Sequence, residues 1–254
     1  MKLKTLAATV AALLLGMGVA NAEIKKVRIG TEGAYPPFNS VDPSGQLVGF
    51  DVEIGKALCE KMNVECTFVA QDWDGIIPAL LSNKFDAIIA SMAITEERKQ
   101  KVAFTNPYYQ TPGNFIAPKD TKITDISPAA MTGKTIGAQS STTGSIYLEE
   151  KYKGADIKLY PTQDEANADL AAGRLDAVLA DKFVLYEWIE KSADGKCCKF
   201  IGSDLKDVNP EGTGIAVRKE DNELREALNK AIKEIVADGT YKKINAKYFP
   251  FDIY

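Results

Sequence analysis

Two stretches of the chain repeat one another in order and in spacing. Pro78-Ala-Leu-Leu-Ser-Asn-Lys-Phe-Asp-Ala-Ile-Ile-Ala-Ser91 parallels Ala168-Asp-Leu-Ala-Ala-Gly-Arg-Leu-Asp-Ala-Val-Leu-Ala-Asp181. Each reads as a helix end, a basic residue, an apolar residue, Asp-Ala and a buried strand. An earlier pair, Val27-Arg-Ile-Gly30 and Lys134-Thr-Ile-Gly137, ends a strand ahead of a polar loop in both places. Two matches in the same order, about 90 to 107 positions apart, predict two similarly built lobes. Strand-like apolar runs are expected at 26–30, 64–70, 86–91, 115–117, 135–138, 157–160, 177–181 and 214–218. They alternate with helical patterns at 50–62, 76–82, 143–153, 162–172, 182–191 and 221–237. Such alternation predicts an α/β fold, each lobe a mainly parallel sheet flanked by helices. Ligands of open α/β sheets bind beyond the carboxyl ends of strands. Lobes that turn Ser91 and Asp181 toward each other would therefore enclose a cleft. Breaker residues at Thr111-Pro112-Gly113 and along 203–214 mark the expected crossings. The first lobe is then discontinuous, 23–111 and 207–254, and the second is 112–206.

The chain of 254 residues has no histidine, which excludes Ser-His-Asp and Cys-His nucleophilic sites and every His-ligated metal centre. Its 31 Lys and Arg against 35 Asp and Glu leave a net charge of −4, without the basic stripe that a nucleic-acid partner requires. Residues 1–22 have the build of an export leader: Lys2 and Lys4, an apolar run from Leu6 to Val19, then Ala20-Asn21-Ala22 at a cleavage site. The apolar run is shorter than the ~18–20 residues that span a bilayer. An exported chain beginning at Glu23 is expected.

Export permits disulfides. Cys59 and Cys66 end a predicted helix and begin the next strand, and either a bridge or two buried thiols fits them. A bridge across so short a loop would stabilise the fold by about 2.5 kcal/mol in the chain-entropy model. For the adjacent Cys197 and Cys198, a strained vicinal bridge and free thiols both stay open.

Enzyme motifs are sparse. Gly133-Lys134-Thr135 has no Gly-rich loop before it, and Gly212-Thr213-Gly214 lacks a third glycine. Asp72 and Asp74 flank Trp73 and read as a metal pair or, preferably, as solvated or helix-capping acids. Three other segments stand out. The loop of residues 31–38 places Glu32, Tyr35 and two prolines at a strand's carboxyl end. The segment from Ala90 to Arg98 starts at another strand end and reaches a lone arginine, or is simply a short helix capped by Thr95. The hydroxyl-rich run from Gln139 to Ser145 precedes a helix, whose N-terminal N–H groups can receive an anion.

In this order, the segments resemble the periplasmic solute-binding proteins of amino-acid ABC transporters. Gly49-Phe-Asp-Val-Glu-Ile54, Trp73-Asp-Gly-Ile-Ile-Pro78, Ile94-Thr-Glu-Glu-Arg98, Gly173-Arg-Leu-Asp-Ala177 and Asp238-Gly-Thr-Tyr241 extend the resemblance over the chain beyond the leader. It is strongest to the lysine/arginine/ornithine-binding and opine-binding subgroup, and implies the two-lobed periplasmic-binding-protein fold with a Cys59–Cys66 disulfide. By this resemblance Arg98 grips the ligand α-carboxylate, helped by the backbone N–H of Thr143. Asp181 takes the α-ammonium, with Ser91 and its neighbours adding polar contacts. Tyr35 and Trp73 wall the ligand side chain, and Glu32 meets its distal cation. Ala90, Ala93 and Gly144 depart from the pattern toward smaller or less polar residues.

The expectation is a periplasmic, monomeric capture protein, without cofactor or metal, that closes on a basic amino acid or an opine. It would deliver that ligand to an ABC permease. A dehydratase on the same fold would need Glu32 or Asp181 as a general acid. A sensor module would need a signalling segment, which is not expected after Phe249-Pro-Phe251.

Overall fold

The computed structural model describes residues 24–254. The expected leader and its cleavage site lie outside the described residues. Strand β1 (Lys26–Thr31) opens the first lobe, followed by a small sheet of β2 (Ala34–Tyr35), β3 (Asn39–Val41) and β4 (Leu47–Val48). Helix α1 (Phe50–Met62) leads to β5 (Glu65–Ala70), α2 (Ile76–Leu81) and β6 (Ala87–Ile88). The short α3 (Glu96–Lys99) and β7 (Ala103–Phe104) precede the first crossing. The second lobe holds β8 (Gly113–Pro118), β9 (Thr135–Gln139), α4 (Thr143–Lys151), β10 (Asp156–Tyr160), α5 (Gln163–Ala171), β11 (Ala177–Asp181), α6 (Lys182–Lys191) and β12 (Cys198–Leu205). The chain returns through β13 (Ala216–Val217), α7 (Asn222–Ala237) and α8 (Thr240–Tyr248).

Two five-stranded sheets result, β5-β1-β6-β13-β7 and β10-β9-β11-β8-β12. In each, four of the five strands run the same way, the mainly parallel arrangement expected, and one strand runs against them. Three strands joined by helical crossovers pair parallel, whereas β13 in the first sheet and β8 in the second run opposite to both of their neighbours, so β7 and β12 share the majority direction. A strand that enters from the other lobe needs no helical return over its own sheet, so it is free to run the opposite way. The strand expected over 86–91 shortens to β6, and that over 214–218 to β13. The small sheet, β7, β12 and α8 went unrecognised in the sequence; most of these are too short to develop a period.

The repeat has a physical cause. Asp86 accepts the Arg28 N–H at 2.9 Å, and Asp176 accepts the Thr135 N–H at 2.8 Å, so each aspartate ties its strand to the matching strand of its own lobe, β1 or β9. Gly30 and Gly137 occupy matching places in β1 and β9. A Cβ at Gly30 would lie 2.5 Å from the Phe85 ring, and one at Gly137 2.5 Å from a Leu175 methyl. Phe85 and Leu175 are themselves equivalent in the repeat, so the same close approach recurs in both lobes.

Helix α7 buries Leu224, Leu228, Ala231, Ile232 and Ile235 against the core that α1 shares. That spacing is one face of a 3.6-residue period. Helix α1 stops where Asn63 adopts a left-handed conformation, φ 54°, and returns its N–H to the last turn. Helices α4 and α5 each begin with a reciprocal capping box, Thr142 with Ser145 and Thr162 with Glu165. Cys59 and Cys66 are bridged between α1 and β5, with Cα atoms 6.1 Å apart. Cys197 and Cys198 are also bridged, which decides the question the sequence left open. No helix among the described residues is long and apolar enough to cross a membrane.

Candidate functional site

The cavity between the lobes gathers Glu32, Tyr35, Trp73, Ser91, Arg98, Thr143 and Asp181, all seven residues singled out from sequence. It encloses about 600 Å³ of non-atom space including its mouth. Glu32 and Tyr35 follow β1, Trp73 opens the turn after β5, and Ser91 follows β6. Thr143 begins α4 and Asp181 ends β11. All except Arg98 thus sit at or just beyond the carboxyl ends of strands, where side chains can face out of a sheet.

Arg98 reaches the cavity from α3. Thr95 does cap that helix, accepting the Arg98 N–H at 3.2 Å, and the cap fixes the direction in which the arginine leaves the backbone. The side chain is 8% exposed, and burial lowers its pKa to about 10. Its Nη1 donates to the Ala93 carbonyl at 2.8 Å, and its Nη2 to the Ser141 carbonyl, across the cleft, at 3.0 Å. The guanidinium carbon lies 5.1 Å from the Trp73 ring centroid, within cation–π range. Among the described residues, no carboxylate stands within 4.0 Å of it.

Thr142 is the cap of α4, so Thr143 and Gly144 are its first two helical residues and both line the cavity. Their N–H groups have no intrahelical acceptor, and both residues line the same cavity as Arg98. A guanidinium beside a helix N-terminus is a site for an anion.

Asp181 caps α6, accepting the Phe183 N–H at 2.8 Å and the Val184 N–H at 3.4 Å, while the Thr111 hydroxyl donates to its other oxygen. Burial outweighs these bonds and raises its pKa to about 6. Glu32 is raised to about 7, chiefly by burial; the Gln139 hydrogen bond opposes the shift, and the charges of Asp164, Asp72 and Asp74 add to it. Tyr35 is pushed well above the ordinary phenol value by burial and by Asp181.

Ser91 lines the cavity, but its hydroxyl donates to Asp51 Oδ2 at 3.0 Å. Only its oxygen remains for a ligand, as an acceptor. Its backbone is left-handed, φ 53°, an uncommon state for serine that turns the chain away from the sheet. Asp72 is exposed and makes no side-chain cap, which leaves the solvated of the two expected readings, and Asp74 accepts the Ser140 hydroxyl from the other lobe at 3.0 Å.

Sequence reasoning missed Thr111, Gln163, Asn209 and Thr213, which also line the cavity, and gave Gln139, the first residue of the hydroxyl-rich run, no role of its own. Gln139 ends β9, so the strand-end rule could have found it. Asn209 and Thr213 lie on the return crossing, where no local pattern marks them.

The profile of the bacterial extracellular solute-binding proteins, family 3, matches residues 27–251. The chain belongs to that family. Among its relatives, the L-arginine-binding protein of Pseudomonas aeruginosa is 48% identical over 234 residues, covering 91% of this chain and 90% of that one. The lysine/arginine/ornithine-binding periplasmic protein of Escherichia coli is 42% identical, covering 95% and 96%. A solved ancestral arginine-binding protein bound to arginine superposes with a TM-score of 0.83 at 38% identity, covering 89% of this chain and 99% of that one. The family 3 fold is thus two-lobed here, as the sheets describe. These relatives are named as binding proteins, and the Escherichia coli one as periplasmic.

Proposed function

We propose that this family 3 protein captures a basic amino acid of the arginine/lysine/ornithine type, or a related opine, for an ABC importer. The observation that carries the reading is Arg98, a buried cation with no carboxylate partner among the described residues, in one cavity with the half-buried acids Asp181 and Glu32. A basic amino acid has the complementary set, one carboxylate and two cations. Arg98 and the N–H groups of Thr143 and Gly144 receive the α-carboxylate, a planar fork suiting its two oxygens. Asp181 takes the α-ammonium with one of its remaining lone pairs, and Glu32 takes the distal cation. Tyr35 and Trp73 cover the stem between them, and the Ser91 oxygen adds an acceptor. The names of the relatives support the same ligand class.

Capture proceeds by lobe closure about the crossings near 111–112 and 206–207, so that both lobes hold one ligand. Binding involves no covalent step; Glu32 and Asp181 serve as charge partners rather than proton donors. The protein works as a periplasmic monomer, cleaved after Ala22, and presents its ligand to the membrane permease.

Calorimetry of ligand-stripped protein with arginine, lysine, ornithine, histidine, octopine and neutral citrulline tests the reading. At least one basic ligand should bind well below citrulline in Kd. Binding of none of the basic ligands, or turnover of prephenate or arogenate on incubation, would overturn it.

A further inference from the structure

We infer that Gln139 is a specificity-determining residue that makes the cleft read a guanidinium in preference to a primary ammonium. The inference rests on the basic-ligand reading and deepens it. Gln139 is 2% exposed at the carboxyl end of β9, in the second lobe. Its Nε2 donates to Glu32 Oε1, on the first lobe, at 2.5 Å, and to the Pro161 carbonyl at 3.1 Å.

An amide nitrogen has two N–H groups, and these two bonds use both. Turning the amide over would press its oxygen against a carboxylate and a carbonyl, two acceptors at hydrogen-bond distance. The network therefore fixes which end is which. Oε1 is left as an acceptor, with no donor to it among the described residues, on a side chain that lines the cavity.

The distal end of the cleft thus presents two acceptors from opposite lobes, the Glu32 carboxylate and the Gln139 amide oxygen. A lysine ammonium is a compact charge that the carboxylate alone can hold. A guanidinium spreads five N–H groups over a rigid plane and can meet both acceptors at once. The Pro161 bond keeps Gln139 in place, so the amide oxygen is preorganised before any ligand arrives.

A plain closing latch is the alternative role for Gln139, since its bond to Glu32 also joins the lobes. The two roles separate by ligand. Arginine and lysine are titrated by calorimetry into ligand-stripped wild type and into Gln139→Met, which keeps the length and removes the amide. In wild type, arginine should bind at least about tenfold more tightly than lysine. In the variant, arginine should weaken about tenfold or more, with lysine changing less than about threefold. Equal losses for both ligands would make Gln139 a latch and overturn the inference, as would no loss for either. Wild type binding lysine as tightly as arginine would overturn it even where the variant fails to fold. Wild type binding neither would remove the basic-ligand reading itself, and the inference with it.

Discussion

Arg98 and Ser141 stand on opposite lobes, and Nη2 of the arginine donates to the serine carbonyl at 3.0 Å. The group that would hold a ligand carboxylate is thus also a bond between the lobes. Ligand recognition and closure share one side chain. The guanidinium's fork and its Trp73 neighbour make lysine a poor replacement there.

Removing Arg98 should affect every α-amino acid alike, because the carboxylate is common to all. Loss of one member of a desolvated charge pair costs about 2–5 kcal/mol of binding. Arg98→Ala should weaken arginine and citrulline by similar factors in calorimetry. A variant that loses arginine alone would show that Arg98 reads the side chain instead.

The raised acids set a pH dependence. Glu32, at about 7 in the ligand-free protein, must lose its proton to meet a distal cation. Arginine affinity should therefore fall as pH drops below about 7, roughly tenfold per unit. Citrulline, with no distal cation, should hold until Asp181 takes up its proton near 6. Parallel losses between about pH 7.5 and 6 would refute this assignment. In the ligand-free protein the sign reverses. A carboxyl raised from its ordinary 4.5 contributes stability that is present in acid and lost as pH rises through about 7. Wild type should accordingly lose melting temperature relative to Glu32→Gln between about pH 5 and 8.

Asp51 supports the cleft from behind. Fully buried, it accepts Tyr108 Oη at 2.7 Å, and Asn39 Nδ2 and Ser91 Oγ each at 3.0 Å. Asp51→Ala leaves two buried donors, Tyr108 and Asn39, unpaired at about 1–3 kcal/mol each, and frees the half-buried Ser91 hydroxyl. Urea unfolding should show a loss of about 3 kcal/mol, since Tyr108 and Asn39 are both desolvated. Arginine affinity should fall as well, because the left-handed Ser91 loses its anchor. Unfolding within about 1 kcal/mol of wild type would mean that water takes over the carboxylate's role.

The bridge between Cys59 and Cys66 closes a loop of seven positions. Replacing both by alanine should cost about 2.5 kcal/mol in the chain-entropy account. Arginine binding should stay within about twofold, because neither cysteine lines the cavity. A large change in Kd would show that the α1–β5 junction moves with the ligand.

Several features were legible in the sequence because their causes are local or periodic. Helices α1 and α6 have the expected bounds, since apolar spacing and caps act within a few residues. The two-lobe plan was legible because Asp86 and Asp176, with Gly30 and Gly137, answer the same steric and hydrogen-bonding demands in each lobe. The site residues surfaced as a set through motif order, each at a strand end or a short cap. Other features depend on how the lobes meet. Gln139 and Glu32 are 107 positions apart, and Arg98 and Ser141 are 43 apart. No local propensity couples such pairs. The antiparallel strands, the commitment of the Ser91 hydroxyl to Asp51 and the direction of the Gln139 amide likewise depend on which groups packing brings within hydrogen-bond reach. Sequence determined the charges available to the cleft; tertiary structure decided which of them were already partnered and which stayed open to a ligand.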